Sequence, residues 1–97
     1  MPPTTASREV VVNNRQGFHA RPANLFVQTA MRFQAQVFVV KEKERINGKS
    51  ILDLLTLGAQ HGTRLRLEAE GDDAAEAVVA LEQLILNGFG EFEDKTL

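Results

Sequence analysis

Within residues 63–70, apolar and charged side chains alternate without a break from Arg64 to Glu70, and this pattern constrains the fold more than any other segment. In an extended chain Leu65, Leu67 and Ala69 lie on one side, and the arginine and glutamate residues between them lie on the other. The segment is therefore predicted to be a β-strand with one buried face and one wet face. Since antiparallel and mixed sheets can leave one face in water, helices are needed on the other face only.

Three segments instead repeat their apolar residues at the spacing of a helix face. In residues 20–32 these residues recur at positions i, i+3, i+4, i+7 and i+8. Residues 50–57 are predicted to be a shorter helix that ends at Gly58. A third helix is predicted from Ala74 to near Asn87, with its apolar side chains along one side.

Shorter segments are predicted to form the other strands, and they are residues 8–13, 35–41 and 45–47. The resulting order is β-α-β-β-α-β-α, with three helices whose apolar faces must be buried. A single sheet with the helices on one face meets that requirement, and 97 residues leave room for one hydrophobic core. We expect one α+β domain over residues 8–88, a flexible leader at 1–7 and a loose acidic tail at 89–97.

The composition excludes several classes of function. Without cysteine, the chain has no disulfide framework, thiolate nucleophile or cysteine metal site, and this fits a reducing compartment. A net charge of −2, with both signs mixed along the chain, argues against a nucleic-acid surface. No apolar run approaches the roughly 18 residues of a membrane span, and residues 1–7 do not resemble a secretory signal. We therefore expect a cytoplasmic protein that holds no cofactor or metal and contacts proteins or small molecules.

Residues 17–23, with the sequence GFHARPA, place a candidate nucleophile where a helix begins. A histidine is largely neutral at pH 7, and a neutral ring nitrogen such as that of His19 can attack phosphorus. The free amides and positive dipole end of the helix would bind a phosphoryl group there and disfavour the imidazolium by about 0.3–1 kcal/mol. Arg21 can fold back onto the phosphoryl oxygens, and Gly17 permits a sharp turn. The alternative is that His19 only caps the helix or packs in a loop.

This segment resembles the active-site segment of HPr, the histidine-containing phosphocarrier family of the phosphoenolpyruvate-dependent phosphotransferase system. Residues 47–58 (NGKSILDLLTLG) are similar to the family's regulatory serine and short second helix, and the resemblance covers roughly residues 8–88. It implies the family's open-faced two-layer sandwich with a four-stranded antiparallel sheet. It also implies that enzyme I, charged from phosphoenolpyruvate, phosphorylates the δ nitrogen of His19, that Arg21 stabilises the phosphoryl group, and that an EIIA-type protein accepts it. Such a protein is a covalent carrier, not an enzyme that turns over by itself.

Ser50 has two interpretations that do not compete. As the N-cap of the second helix it would contribute about 1 kcal/mol, and its spacing from Asp53 is that of a capping box. As a phosphoserine it would add about −1.5 to −2 charges at a helix start and repel acidic partner surfaces. Some members of the family are regulated in this way by a serine kinase/phosphorylase and others are not, so the resemblance leaves that role open.

The second helix carries more apolar side chains than one buried face needs. Core packing is the plain interpretation of Ile51 and Leu54. The family's docking patch beside the histidine implies that Leu52 and Leu55 are partly exposed partner contacts. Asp53 departs from the small or apolar residue expected there, and a buried interfacial charge is costly unless it is paired. The full set of predicted partner contacts is Phe18, Ala20, Ile51, Leu52 and Leu55.

Three functions remain open from the sequence. The first is a phosphocarrier for sugar uptake, and the second is a paralogue in a regulatory relay in which phosphorylated His19 reports nutrient status. The third is a noncatalytic interaction module, since architecture alone does not specify function. The paralogue type with glutamine in place of the histidine is excluded, because His19 is present. A carrier must leave each partner easily, so we expect a monomer with transient interfaces of around 1,200 Å² or less.

Overall fold

The predicted order of strands and helices is confirmed by a computed structural model, which describes residues 4–91. The strands are β1 (Thr5–Val11), β2 (Gln36–Lys41), β3 (Glu44–Asn47) and β4 (Arg64–Glu70). The helices are α1 (Ala20–Ala30), α2 (Ile51–Leu57), α3 (Ala74–Leu86) and a short 3₁₀ helix (Gly88–Gly90). None of the helices that the structure describes combines the length and hydropathy needed to cross a membrane.

The strands form one sheet in the order β1-β4-β2-β3, and every neighbouring pair is antiparallel. β4 is therefore flanked on both sides, by β1 and by β2. α3 packs across β1 and β4, and α1 contacts both α2 and α3. This is the predicted α+β open-faced sandwich, with one layer of sheet and one layer of helices.

The alternation in β4 separates the core from the wet face as predicted. Leu65, Leu67 and Ala69 are at most 1% exposed, whereas Arg64 and Arg66 are exposed. The helices complete the core with side chains that are also fully buried, among them Phe26, Leu81 and Ile85.

Charged side chains cover the other face of the sheet. The Arg45 guanidinium lies 3.6 Å from the centre of the Phe38 ring, and its Nε donates to Glu68 at 3.0 Å. Arg66 Nε donates to the same carboxylate at 2.8 Å. These contacts cover the apolar parts of the sheet while the charges stay in water.

The prediction of a flexible leader through residue 7 is wrong for residues 4–7. β1 begins at Thr5, where it pairs with Glu70, and Ser7 pairs with Glu68. The Thr4 carbonyl oxygen accepts a hydrogen bond from Gly71 N at 2.8 Å. The strand starts early because β4 offers a backbone partner along its whole length, whatever side chains β1 carries there. Residues 1–3 lie outside the described residues.

The prediction of a loose tail from residue 89 is wrong for residues 89–91. Phe89 is 2% exposed, and its ring meets that of Phe18 edge to face with centroids 5.4 Å apart. Glycines on both sides of Phe89 let the chain turn back on the end of α3, and burial of a phenyl ring favours that turn. The rest of the predicted tail, residues 92–97, lies outside the described residues.

Replacing Phe89 should therefore lower the free energy of unfolding as much as a substitution in the hydrophobic core does. Phe89→Ala is expected to lower the free energy of unfolding by about 3–5 kcal/mol, because it removes a fully buried ring. Leu86→Ala is the matched control, since Leu86 is 44% exposed at the end of α3, and it should cost about 1 kcal/mol or less. Urea denaturation of both variants measures the difference, and equal losses would contradict the docking of Phe89.

Candidate functional site

His19 is the N-cap residue of α1, as the sequence predicts. Its backbone is extended, and its carbonyl oxygen accepts the first helical hydrogen bond from Ala23 N at 3.0 Å. The imidazole makes no capping bond to the helix and its side chain is 37% exposed. Pro22 occupies the first turn, where a missing N–H is tolerated. The ring therefore lies at the N-terminus of α1 and is accessible to solvent.

Gly17 makes the turn that brings the chain to His19. Its φ is +66°, and a Cβ there would overlap the carbonyl oxygen of Ala59. That oxygen accepts a hydrogen bond from Phe18 N at 2.8 Å, which attaches the turn to the segment that follows α2. Only glycine combines this left-handed backbone with so close an approach.

Phe18 is buried, so the prediction that it is a partly exposed member of the docking patch is wrong. The side chain is 5% exposed and packs against Phe26 and Phe89, with ring centroids 5.6 and 5.4 Å away. His19 N donates to the Gly17 carbonyl oxygen at 2.9 Å, so the chain turns tightly at Phe18, and the imidazole that follows this buried ring is partly exposed. The buried Phe18 ring thus anchors the turn at Gly17 to the hydrophobic core.

Glu91 is a site residue that sequence reasoning missed. Its Oε2 lies 3.1 Å from Nε2 of His19 and 3.0 Å from Nη1 of Arg21. Its Oε1 lies 3.3 Å from the same imidazole nitrogen and accepts from Asn14 Nδ2 at 3.0 Å. No motif signals this role, because Glu91 lies 72 positions beyond His19 in a segment whose composition is typical of a tail.

The contacts of Glu91 determine which imidazole nitrogen is free. Partial burial raises the pKa of Glu91, but hydrogen bonds from Asn14, His19 and Arg21 outweigh it, so the pKa lies below its usual range. An ionised carboxylate only accepts hydrogen bonds, so Nε2 of His19 must carry a proton. In the neutral ring the lone pair then lies on Nδ1.

Arg21 lies near His19, as predicted, and its guanidinium is hydrogen-bonded to residues 89 and 91 of the carboxyl-terminal segment. Its Nη1 donates to the Phe89 carbonyl oxygen at 3.1 Å as well as to Glu91. The side chain is still 56% exposed. Among residues 4–91 both bonds use one nitrogen, so no described residue occupies the other guanidinium N–H groups, which can bind an incoming anion.

Asn14 is a second site residue that the sequence does not single out. The side chain is 1% exposed, and its Nδ2 donates to the Gly17 carbonyl oxygen at 2.8 Å as well as to Glu91. One buried amide therefore supports both the turn before His19 and the carboxylate beside it. An asparagine before a glycine turn is a weak signal, since it indicates a loop and nothing more.

Ser50 caps α2, as predicted. Its Oγ accepts from Asp53 N at 3.1 Å, and Gly58 ends the helix with φ +69°. In a capping box the side chain of Asp53 would accept a hydrogen bond from the Ser50 backbone N–H. Here Asp53 Oδ2 instead accepts from Asn47 N at 3.4 Å. Asp53 thus has a backbone hydrogen-bond partner beside the apolar residues of α2.

The predicted exposure of the α2 patch is confirmed. Leu52 is 72% exposed, Leu55 40% and Ile51 38%, whereas Leu54 is fully buried in the core. The core interpretation is therefore correct for Leu54 and wrong for Ile51. Ala20, at the start of the adjacent α1, is exposed as well. An apolar surface thus lies on α2. This helix contacts α1, whose N-cap residue is His19.

Comparison with known proteins gives one consistent result. A family model described as the PTS HPr component phosphorylation site matches residues 6–87. The phosphocarrier protein HPr of Neisseria meningitidis serogroup A is 46% identical over 86 residues, which are 89% of this chain and 97% of that protein. HPr of Treponema pallidum is 43% identical over 84 residues, which are 87% of this chain and 96% of that protein.

Solved structures agree with the sequence matches. A crystal structure of HPr-C-His from Thermoanaerobacter tengcongensis has a TM-score of 0.87 at 44% identity, and the match covers 91% of this chain and 99% of that chain. HPr from Bacillus anthracis has a TM-score of 0.81 at 38% identity, with 84% and 98% covered. The chain therefore belongs to the HPr family of the phosphotransferase system, whose members are phosphocarrier proteins and not catalytic enzymes.

Proposed function

We propose that this chain accepts a phosphoryl group on Nδ1 of His19 from phosphorylated enzyme I and passes it to an EIIA-type acceptor. The observation that carries the proposal is the hydrogen bond between Nε2 of His19 and Glu91, which leaves the lone pair of a half-exposed ring on Nδ1. The family match supports a role in the phosphotransferase system in general. The carrier works in the cytoplasm, where a chain without cysteine has no need of disulfides.

The transfer needs little from the carrier beyond position and charge. Nδ1 attacks phosphorus in line with the bond to enzyme I, which breaks as the new N–P bond forms. Arg21 supplies guanidinium N–H groups for the phosphoryl oxygens, and the first amides of α1 supply a positive dipole end. Both kinds of donor are in place before the phosphoryl group arrives, so reorganisation costs little.

Partners dock on the exposed apolar residues of α2. Ile51, Leu52 and Leu55 supply that surface, and Ala20 extends it to the start of α1. A surface this small suits brief complexes, which a carrier needs because enzyme I and the acceptor must bind in turn.

Phosphorylation of His19 is tested by incubating the full chain with enzyme I and labelled phosphoenolpyruvate. The wild type should acquire a label that acid removes and alkali does not, and His19→Ala should acquire none, because the attacked nitrogen is gone. His61→Ala is the matched control, since His61 is exposed in the turn before β4, and it should be labelled as the wild type is. An unlabelled wild type beside a competent enzyme I would eliminate the carrier and favour a noncatalytic module.

Arg21→Ala should slow phosphoryl transfer while the fold persists. We expect a rate loss of about tenfold to a hundredfold, because a half-exposed guanidinium is lost from the phosphoryl oxygens. Arg32→Ala is the control, an exposed arginine just beyond the other end of α1. Rapid-quench transfer assays with circular dichroism of each variant measure the effect. Transfer by Arg21→Ala at the wild-type rate would remove Arg21 from the mechanism.

Ser50 is the second modification site, and its phosphorylation slows acceptance from enzyme I. Ser50→Asp should keep α2, since aspartate is also a good N-cap, but should lower the transfer rate about three- to tenfold through charge repulsion beside the docking patch. Ser50→Ala, which loses about 1 kcal/mol of capping without adding charge, is the control. Enzyme I kinetics on both variants decide the matter, and equal rates for the two would argue against electrostatic gating.

A further inference from the structure

The apolar patch of α2 has a carboxylate at its edge. Asp53 follows Leu52, whose side chain is 72% exposed, and is itself partly exposed. Thr56, three positions further along the helix, is its exposed neighbour on the surface. Leu54 and Leu57 occupy the buried side of α2. A partner that covers the patch therefore also meets the charge of Asp53.

Backbone contacts hold this carboxylate in place. Asp53 N donates to Ser50 Oγ at 3.1 Å, and Asp53 Oδ2 accepts from Asn47 N at 3.4 Å. Both partners lie just before the helix, so the first turn of α2 determines where the carboxylate lies. Its other oxygen, Oδ1, accepts no hydrogen bond from any of residues 4–91. The carboxylate thus keeps an open acceptor at a defined position.

The cations nearest to α2 along the chain do not balance this charge. Asp53 takes part in no ion pair within the described range 4–91. Lys49, four positions earlier, directs its Nζ to the Phe33 carbonyl oxygen at 2.8 Å. Lys41 directs its Nζ to the Leu57 carbonyl oxygen at 3.2 Å, at the other end of α2. The negative charge at the start of α2 is therefore left for a partner to balance.

We propose that Asp53 determines which partners dock on α2, and that the surface of enzyme I that covers the patch carries a lysine or arginine opposite this carboxylate. The inference rests on the proposed phosphocarrier function. It adds the chemistry of the partner surface, which is an apolar area with a cation at its edge.

The cost of desolvation makes this charge selective. A carboxylate that loses water at an interface is costly unless an opposing group balances it. An acidic or wholly apolar surface over α2 is thus disfavoured, whereas a cation is attracted and increases the association rate. Leu52 and Leu55 supply contact area that cannot distinguish one apolar partner from another. Asp53 supplies the discrimination.

This charge balance is compatible with inhibition by phosphorylation of Ser50. One cation on enzyme I balances Asp53 alone. A phosphoryl group on Ser50 would add about −1.5 to −2 further charges at the same end of α2. These charges would remain unbalanced in the complex, so phosphorylation slows docking although Asp53 favours it.

The test compares Asp53→Asn with the wild type in phosphoryl transfer from the enzyme I that phosphorylates the wild type. The variant loses the charge and keeps an oxygen that can accept from Asn47 N. Its KM should rise about three- to tenfold at low salt, because one interfacial charge pair is lost. Its kcat should stay within about twofold, since His19 is untouched. Screening at about 1 M salt should remove most of the difference in KM.

Glu76→Gln is the matched control, because Glu76 is an exposed acid in the first turn of α3, a helix that packs across β1 and β4. It removes the same charge and should leave both constants unchanged. An unchanged or lower KM for folded Asp53→Asn, or a loss confined to kcat, would overturn the inference. If the wild type itself accepts no phosphate, the proposed function fails instead, so the two failures are distinguishable.

A second pair of variants leaves Asp53 and its backbone contacts intact. Thr56→Lys places an ammonium three positions after Asp53, where it can pair with the carboxylate and repel a cation of enzyme I. Its KM at low salt should exceed that of Thr56→Gln, a change of similar size without the charge, by about threefold. An equal or lower KM in Thr56→Lys would contradict a cation on enzyme I, even if Asp53→Asn did not fold.

Discussion

Burial of one face of the sheet is the constraint on which the rest of the structure depends. β4 lies between β1 and β2, and its leucines are fully buried while its arginines are exposed. All the helices in residues 4–91 must then share one side of the sheet, since the other side carries charges such as Arg45 and Glu68. The N-terminus of α1 stays accessible to solvent, and its N-cap residue His19 is 37% exposed.

Aromatic packing connects this core to the site. Phe18 lies between Phe26 and Phe89, and each of the three rings belongs to a different part of the chain. Burial of Phe18 anchors the turn that precedes His19, and burial of Phe89 brings Glu91 within 3.1 Å of the imidazole. The apolar contacts thus determine where the charged groups meet, although they take no part in the chemistry. A site this open to solvent depends on such anchors because isolated surface ion pairs contribute little.

The site combines residues from the two ends of the described chain. His19, Arg21 and the start of α1 fall within residues 6–87, which match the HPr family model, and in the proposed function they supply the nucleophile and the positive charge. Glu91 lies beyond that region and supplies the negative charge on the opposite ring nitrogen. The ring is thereby held between a helix end that favours an incoming anion and a carboxylate that favours a charged ring.

The sequence by itself determined the features that depend on neighbours along the chain. Alternation identified β4, helical spacing identified the three helices, and local chemistry identified His19 as a helix N-cap and Ser50 as a capping residue. Only the tertiary structure decided the burial of Phe18 and the docking of residues 89–91. Those features depend on contacts between residues about 70 positions apart, such as Phe18 with Phe89 and His19 with Glu91. A local pattern carries no information about such contacts, because the energy that selects them comes from surfaces that meet only after folding.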